Sequence, residues 1–244
     1  MKRFIALLGL IAFTNANAFS RVPNVPEDMP KWVVGYAMPT LYPVKVKQAY
    51  GVNEQQDWTS FVHNDQQYMF RTDYAYIKQS YPDYNGFGIP LGAPIGYSTQ
   101  ISGTNTLPDS IYIHWTSIST QTFYTTKWDL TQKVKKIMST KDQYTRRDGF
   151  NKKCYRVETI FGFLPNGNSK VWLRGCGEYI FIAELTPIAQ QKLDIPKNTD
   201  GSFKNAYVER VIERAKQLGV TVEPIPWDKV NKVYSKEEIT KLEL

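Results

Sequence analysis

Histidine and cysteine are scarce, with two of each in 244 residues. His63 and His114 stand in no spacing that builds a metal site or sets either beside a nucleophile, so neither a metal nor a cofactor is expected. The chain has no Gly-x-Ser-x-Gly elbow, no phosphate loop and no dinucleotide fingerprint. Carboxylate neighbours such as Glu237-Glu238 fall on what reads as a solvent face. An enzyme is therefore not the expectation, and a hydrolase of unknown type would need polar groups that converge only on folding. Basic runs are equally short, never more than two consecutive residues, which argues against a nucleic-acid partner.

The apolar run over residues 4–13 is about half of the roughly 20 residues that a membrane span requires. It follows Met1-Lys2-Arg3 and precedes Ala16-Asn17-Ala18, the small-x-small pattern of a cleaved signal peptide. Residues 1–18 are read as that peptide and residues 19–244 as a single periplasmic domain. No cysteine lies near the cleavage site, so a lipid anchor is not expected and membrane contact is at most peripheral. Losing Lys2 and Arg3 lowers the net charge from +7 to +5. So mild an excess reads as ordinary solvated charge, although an anionic head group or an acidic protein surface fits it as well.

In an oxidising compartment the two cysteines read first as one disulfide, Cys154 to Cys176. Closing that interval contributes about 3 kcal/mol in the chain-entropy view. A hairpin centred on Asn166-Gly167 sets Cys154 opposite Tyr179, three positions out of register, and Gly175 and Gly177 are the residues able to bend the chain and close the gap. A free thiol nucleophile is the alternative, which the compartment disfavours.

Aromatic residues are what the chain has in abundance: six Trp, 16 Tyr and 12 Phe. Large rings favour pleated, half-buried surfaces, so strands should outnumber helices. Ile111, Ile113 and Trp115 alternate with Tyr112, His114 and Thr116, the period-two pattern of a central strand. In that strand His114 reads as a hydrogen-bonded structural residue. Asp129, with Gln132 three positions on, reads as the cap of a helix carrying Leu130, Val134, Ile137 and Met138. Further strands are expected over residues 32–36, 44–50, 58–62, 67–77, 154–164, 169–174 and 178–185, with a hairpin turn at Pro165-Asn166-Gly167-Asn168. Helices are expected over residues 187–193, after Ser202 to Gly219, and after a Ser235/Glu238 capping box, with a possible edge strand at residues 220–222. Between residues 78 and 108 proline and glycine are dense, and this long loop reads either as an aromatic contact surface or as a lid folded over one sheet. The fold class that follows is α+β: a strand-rich antiparallel, sandwich-like body with a few packed helices.

The pattern Pro108-x-Ser110-Ile111-x-Ile113-x-Trp115-x-Ser117, then Gln121, Phe123-Tyr124 and Lys135-Lys136-Ile137-Met138, resembles a family of bacterial envelope proteins known as a domain of unknown function. Trp32-Val33-Val34-Gly35-Tyr36, Tyr42-Pro43 and the hairpin ending Val171-Trp172-Leu173 fit it too, so the likeness runs from about residue 31 to residue 173. Many members are lipoproteins, and some resemble immunity proteins encoded beside phospholipase effectors of the type VI secretion system. The resemblance implies a periplasmic immunity protein that binds and neutralises a cognate phospholipase effector without chemistry of its own. The shared Trp115, Ser117, Gln121 and Tyr124 read as fold-holding residues. Candidate partner-binding residues are Tyr81, Tyr84, Phe87 and Tyr97 in the long loop, and Arg146, Arg147, Lys152 and Lys153 in a basic segment. The rival expectation is an envelope module that binds a lipid or glycan through aromatic side chains.

Overall fold

The computed structural model describes residues 25–64, 74–92, 96–101, 103–146, 148–194, 199 and 206–242. The expected signal peptide, Arg147, the Ser202 cap and residues 67–73 of an expected strand lie outside them. The first half of the chain forms β1 (Val33–Ala37), β2 (Val44–Asn53), β3 (Trp58–Asn64), α1 (Tyr74–Ser80), β4 (Ile89–Pro90), β5 (Gly96–Ser98), β6 (Ser110–Ser117) and β7 (Thr122–Asp129). There follow α2 (Gln132–Ser139), β8 (Asp142–Thr145), β9 (Asn151–Cys154), β10 (Glu158–Phe163), β11 (Ser169–Gly175) and β12 (Glu178–Leu185). The chain closes with β13 (Ala189–Lys192), α3 (Ala206–Gln217), α4 (Trp227–Val230), β14 (Val233–Tyr234) and β15 (Glu238–Lys241). One sheet has the order β13-β7-β6-β2-β3 and a second the order β15-β12-β11-β10-β1-β5, with β14-β4 and β8-β9 as separate pairs. Antiparallel pairing dominates; β1 with β10, β12 with β15 and β14 with β4 run parallel.

The alternation of β6 decides which side chains meet. Ile111, Ile113 and Trp115 are fully buried, and Tyr112 and His114 face the other way, half-buried. The Trp115 ring lies 4.6 Å from Phe163 of β10 and 4.8 Å from Tyr124 of β7. Its indole N–H donates to Thr126 Oγ1 at 3.0 Å, and that hydroxyl lies 3.2 Å from Ser169 Oγ of β11. An apolar cluster joins these residues to Val34, Val44, Val46, Trp128, Phe161, Val171 and Leu173, with Val134 and Met138 of α2 at its end. The opposite face of the six-stranded sheet is buried as well. Ile160, Trp172 and Tyr179 pack there against Leu41, Tyr42, Phe87, Ile89, Leu91, Ala215 and Val230. Burial on both faces accounts for the near-continuous apolar character of β10 and β11.

Several sequence expectations need correction. Residues 74–80 are helical, because Tyr74, Ile77, Tyr81 and Tyr84 fall at helical spacing and pack together, whereas Tyr76 is 51% exposed. The cap of α2 is Thr131, which accepts from Val134 N at 3.3 Å; Asp129 ends β7 and accepts the Ser110 hydroxyl at 2.6 Å. Residues 189–192 add an edge strand to β7 instead of a helix, since the open backbone edge of β7 takes a partner over residues 122–125. Ser235 engages Glu237 in a local turn, and residues 238–241 pair with β12 where a helix is expected. Residues 220–222 form no strand: Val220 N donates to Ala215 O at 3.0 Å and closes α3, with Gly219 at φ 63 where a stop is expected. The expected strand over residues 154–164 is two strands, β9 and β10, which belong to different sheets.

Candidate functional site: a basic hairpin and the cleft beneath it

Strands β8 and β9 pair only with each other, from Asp142↔Cys154 to Thr145↔Asn151, and stand off both large sheets. At the tip Arg146 N donates to Phe150 O and Gly149 N to Arg146 O, each at 2.9 Å, with Gly149 at φ 83. Arg146 pairs with Asp148 at 2.9 Å. Phe150, in the last position of this turn, is 71% exposed. Among the described residues it is the most exposed large hydrophobic side chain, so its ring is available for a partner to bury.

The base of the hairpin is fixed twice. Cys154 is joined to Cys176, with the Cα atoms 5.4 Å apart. Arg156 donates from Nη2 to Asp142 Oδ2 at 2.8 Å and to Glu178 Oε1 at 2.6 Å. Arg156 holds the Asp142 carboxyl below its ordinary value. A further tie runs to the N-terminal arm, where Asp28 pairs with Lys141 and accepts the Tyr155 hydroxyl at 2.5 Å. That bond to Asp28 pushes the Tyr155 hydroxyl up to about 12.

The register of the disulfide follows from the turns. β10 pairs with β11 from Phe163↔Ser169 to Glu158↔Arg174, after which residues 155–157 leave the sheet. Cys176 occupies the β11–β12 turn at φ 56, followed by Gly177 at φ 81. A Cβ on Gly175 would lie 2.2 Å from Tyr155 O, so only glycine lets the two segments come close enough for the bridge.

Under the hairpin lies a cleft of about 1300 Å³, walled by Tyr144, Lys152 and Lys153 on one side and by Tyr81, Gly92, Tyr179 and Lys236 on another. Its floor is one end of the six-stranded sheet. Val33, Glu158, Arg174, Gly175 and Glu238, all within the first or last two positions of their strands, line it. Arg174 organises this floor: it bonds Glu237 at 2.7 Å, Glu158 at 3.2 Å and the Tyr97 hydroxyl at 2.7 Å, and stands 5.4 Å over the Tyr179 ring. The Glu237 bond raises the Arg174 pKa, so the guanidinium stays charged, and burial raises Tyr97 and Tyr179, so both hydroxyls stay protonated.

Of the residues expected to meet a partner, Arg146, Lys152 and Lys153 come together on the hairpin and line the cleft. Tyr97 sits on β5 against Arg174, 41% exposed. Tyr81, Tyr84 and Phe87 are interior. The Tyr81 hydroxyl donates to Leu91 O, and the Tyr84 hydroxyl lies 2.9 Å from both Thr40 N and Thr40 Oγ1. Each hydroxyl finds a partner, which lets the rings fold down as a lid instead of projecting. Glu237, expected on a solvent face, is half-buried against Arg174. Trp115, Ser117, Gln121 and Tyr124 are all buried. His114 lies outside the cleft on the other sheet, stacked on Phe123 at 6.1 Å with Nδ1 3.0 Å from Thr125 Oγ1 and Nε2 3.4 Å from the Tyr50 hydroxyl.

Sequence reasoning does not single out Phe150, Arg174, Tyr179 or Lys236. The Asp148-Gly149 dipeptide is a hairpin signal that marks the tip. Arg174 and Tyr179 carry no such local mark, since their meeting depends on the β11–β12 register.

No curated protein matches the chain, and no solved structure does. A family model matches residues 20–228, most of the chain, and on that match the chain belongs to the family described as protein of unknown function, DUF2931.

Proposed function

We propose that this chain is an exported immunity protein that binds and neutralises a phospholipase effector of the type VI secretion system in the periplasm, with no catalysis of its own. The observation that carries this reading is Phe150, 71% exposed at the tip of a disulfide-anchored hairpin whose flanks bear Arg146, Lys152 and Lys153. An inhibitor needs a rigid projection with a ring to bury and charge to orient it, and anchoring that projection beforehand lowers the entropy lost on binding. A sandwich-like body supplies the rigidity: the inner faces of the two sheets share one apolar cluster. The residue-19 start, the periplasmic location and the phospholipase partner rest on the leader-like N-terminus and on the resemblance carried by the residue 108–138 segment.

The test mixes the purified exported chain with the lipase encoded beside its gene. A stable complex and loss of lipase activity are expected, with Phe150→Ala and the Lys152→Glu/Lys153→Glu pair each weakening both. Unaltered lipase activity with no complex at micromolar concentrations would sink the reading.

A further inference from the structure

Tyr179 is fully buried, yet its hydroxyl has no hydrogen-bond partner among the described residues. It belongs to the cleft wall at Gly92, where an added Cβ would lie 3.4 Å from the Tyr179 hydroxyl and 3.8 Å from that of Tyr81. The Tyr81 hydroxyl is already committed to Leu91 O. An unpaired buried O–H keeps the whole desolvation penalty with no bond to offset it, and a site of that kind calls for an acceptor supplied from outside.

The surroundings select the charge of that acceptor. Lys31, Lys152, Lys153 and Lys236 line the cleft and form no ion pair among the described residues. The Lys236 ammonium stands 5.9 Å over the ring of Tyr81, whose hydroxyl shares the Gly92 wall with that of Tyr179. Arg174, whose guanidinium lies over the Tyr179 ring, bridges Glu158 and Glu237 and offsets one of their two charges; with Glu238, Asp28 and Asp148 counted, the cleft lining still carries more cations than carboxylates. Lysines lining one cleft with a neutral donor suit a compact multiply charged oxyanion, with the ammonium groups acting as point charges and the hydroxyl fixing orientation. At about 1300 Å³ the cleft also has room for the molecule to which such a group is attached.

We propose that the cleft binds a phosphate group, with the Tyr179 hydroxyl donating to a phosphate oxygen and Lys236 and Lys153 balancing its charge. The group comes either from a soluble phosphorylated molecule or from a phospholipid head group. The proposal shares Lys153 with the effector-binding reading, but the two fail separately, because Tyr179 and Lys236 belong to the cleft wall and Phe150 to the hairpin tip.

Inorganic phosphate is titrated into the full exported chain at ionic strength held constant with chloride, and amide shifts of Gly92, Gly175 and Gly177 are followed. Saturable shifts in the millimolar range are expected. Tyr179→Phe removes only the orphan O–H, so it should keep the fold and weaken phosphate binding by about tenfold or more. Lys236→Ala with Lys153→Ala should weaken it while leaving the Tyr179 environment intact. Phosphatidylglycerol vesicles separate the sources. Co-sedimentation that phosphate competes away and Tyr179→Phe abolishes assigns a lipid head group, whereas Tyr179-dependent phosphate binding without co-sedimentation assigns a soluble molecule. Absence of saturable shifts in the wild-type chain, or equal phosphate binding by a folded Tyr179→Phe variant, overturns the proposal.

Discussion

Replacing Cys154 and Cys176 together by serine removes the covalent tie between the base of the β8–β9 hairpin and the β11–β12 turn. The bridged residues are 22 apart in sequence. A loop of that length restricts the unfolded chain by about 3 kcal/mol in the chain-entropy model. For a chain of this size each kcal/mol moves the melting temperature by about 2–4 °C, so the variant should melt about 6–12 °C lower. The loss should not be uniform in the folded state. β10, β11 and β12 keep their ladder hydrogen bonds and both buried faces, whereas β8 and β9 bury little and keep the Arg156 bridge to Asp142 and Glu178 and the Asp28 ties to Lys141 and Tyr155. Amide exchange in the double variant should therefore quicken at residues 143–153 while the core amides stay protected. The assay is a thermal melt with hydrogen-exchange mass spectrometry on both proteins. A melting point lowered by less than about 2 °C with the hairpin still protected would refute the reasoning and assign the anchoring to the polar ties of Arg156 and Asp28.

Trp115→Ala opens a void against Phe163 and Tyr124 and leaves the Thr126–Ser169 pair without its indole donor, so urea unfolding should report a loss of about 3–5 kcal/mol. Gly175→Ala drives a Cβ to within 2.2 Å of Tyr155 O and should cost about 3 kcal/mol, with Cys154 and Cys176 harder to join on refolding; mass spectrometry of free thiols checks the second part. Burial lowers the His114 pKa below 6.5, so the folded state resists protonation; stability is full above about pH 6.5 and falls as the pH drops through that value towards the folded pKa. His114→Phe should flatten that part of a stability-against-pH curve. Asp129 is held below 3.8 by the Ser110 hydroxyl and Lys127, so its contribution persists above that pH and disappears as the pH falls further; Asp129→Asn should remove the corresponding acid limb.

The strands that alternate cleanly are readable from the sequence because one residue decides each face. Trp115 reads as core and is core, and the Pro165-Asn166-Gly167-Asn168 turn fixes the β10–β11 register to within one position. Failures occur where a short segment satisfies two periods at once. Tyr74 and Ile77 fit an alternating strand until Tyr81 and Tyr84 are added, and only the helical spacing brings all of them into one cluster. Residues 189–192 and 238–241 are too short for propensity to decide; the unpaired edges of β7 and β12 decide instead, and an edge is not a local property of the chain. The basic segment is legible as charge, but its elevation on a separate hairpin depends on Cys154 and Arg156 reaching across to Cys176 and Glu178.

The position of the site follows from how the sheet is buried. With both faces of the six-stranded sheet covered, mid-strand residues such as Ile160, Phe161, Trp172 and Leu173 have no freedom to meet anything outside. Only strand ends remain, and at one end Glu158 pairs with Arg174 while Glu178 and Glu238 pair one residue further out, opposite Gly175. Side chains there can be polar without burdening the core, which is why ion pairs gather at this end. The disulfide then sets a basic hairpin over the same end, so charge from two separate sheets faces one space. Substitutions of Lys153 or Lys236 should accordingly alter binding with little change in stability. Gly175 is the exception, because its backbone serves both the wall of the cleft and the approach of Tyr155.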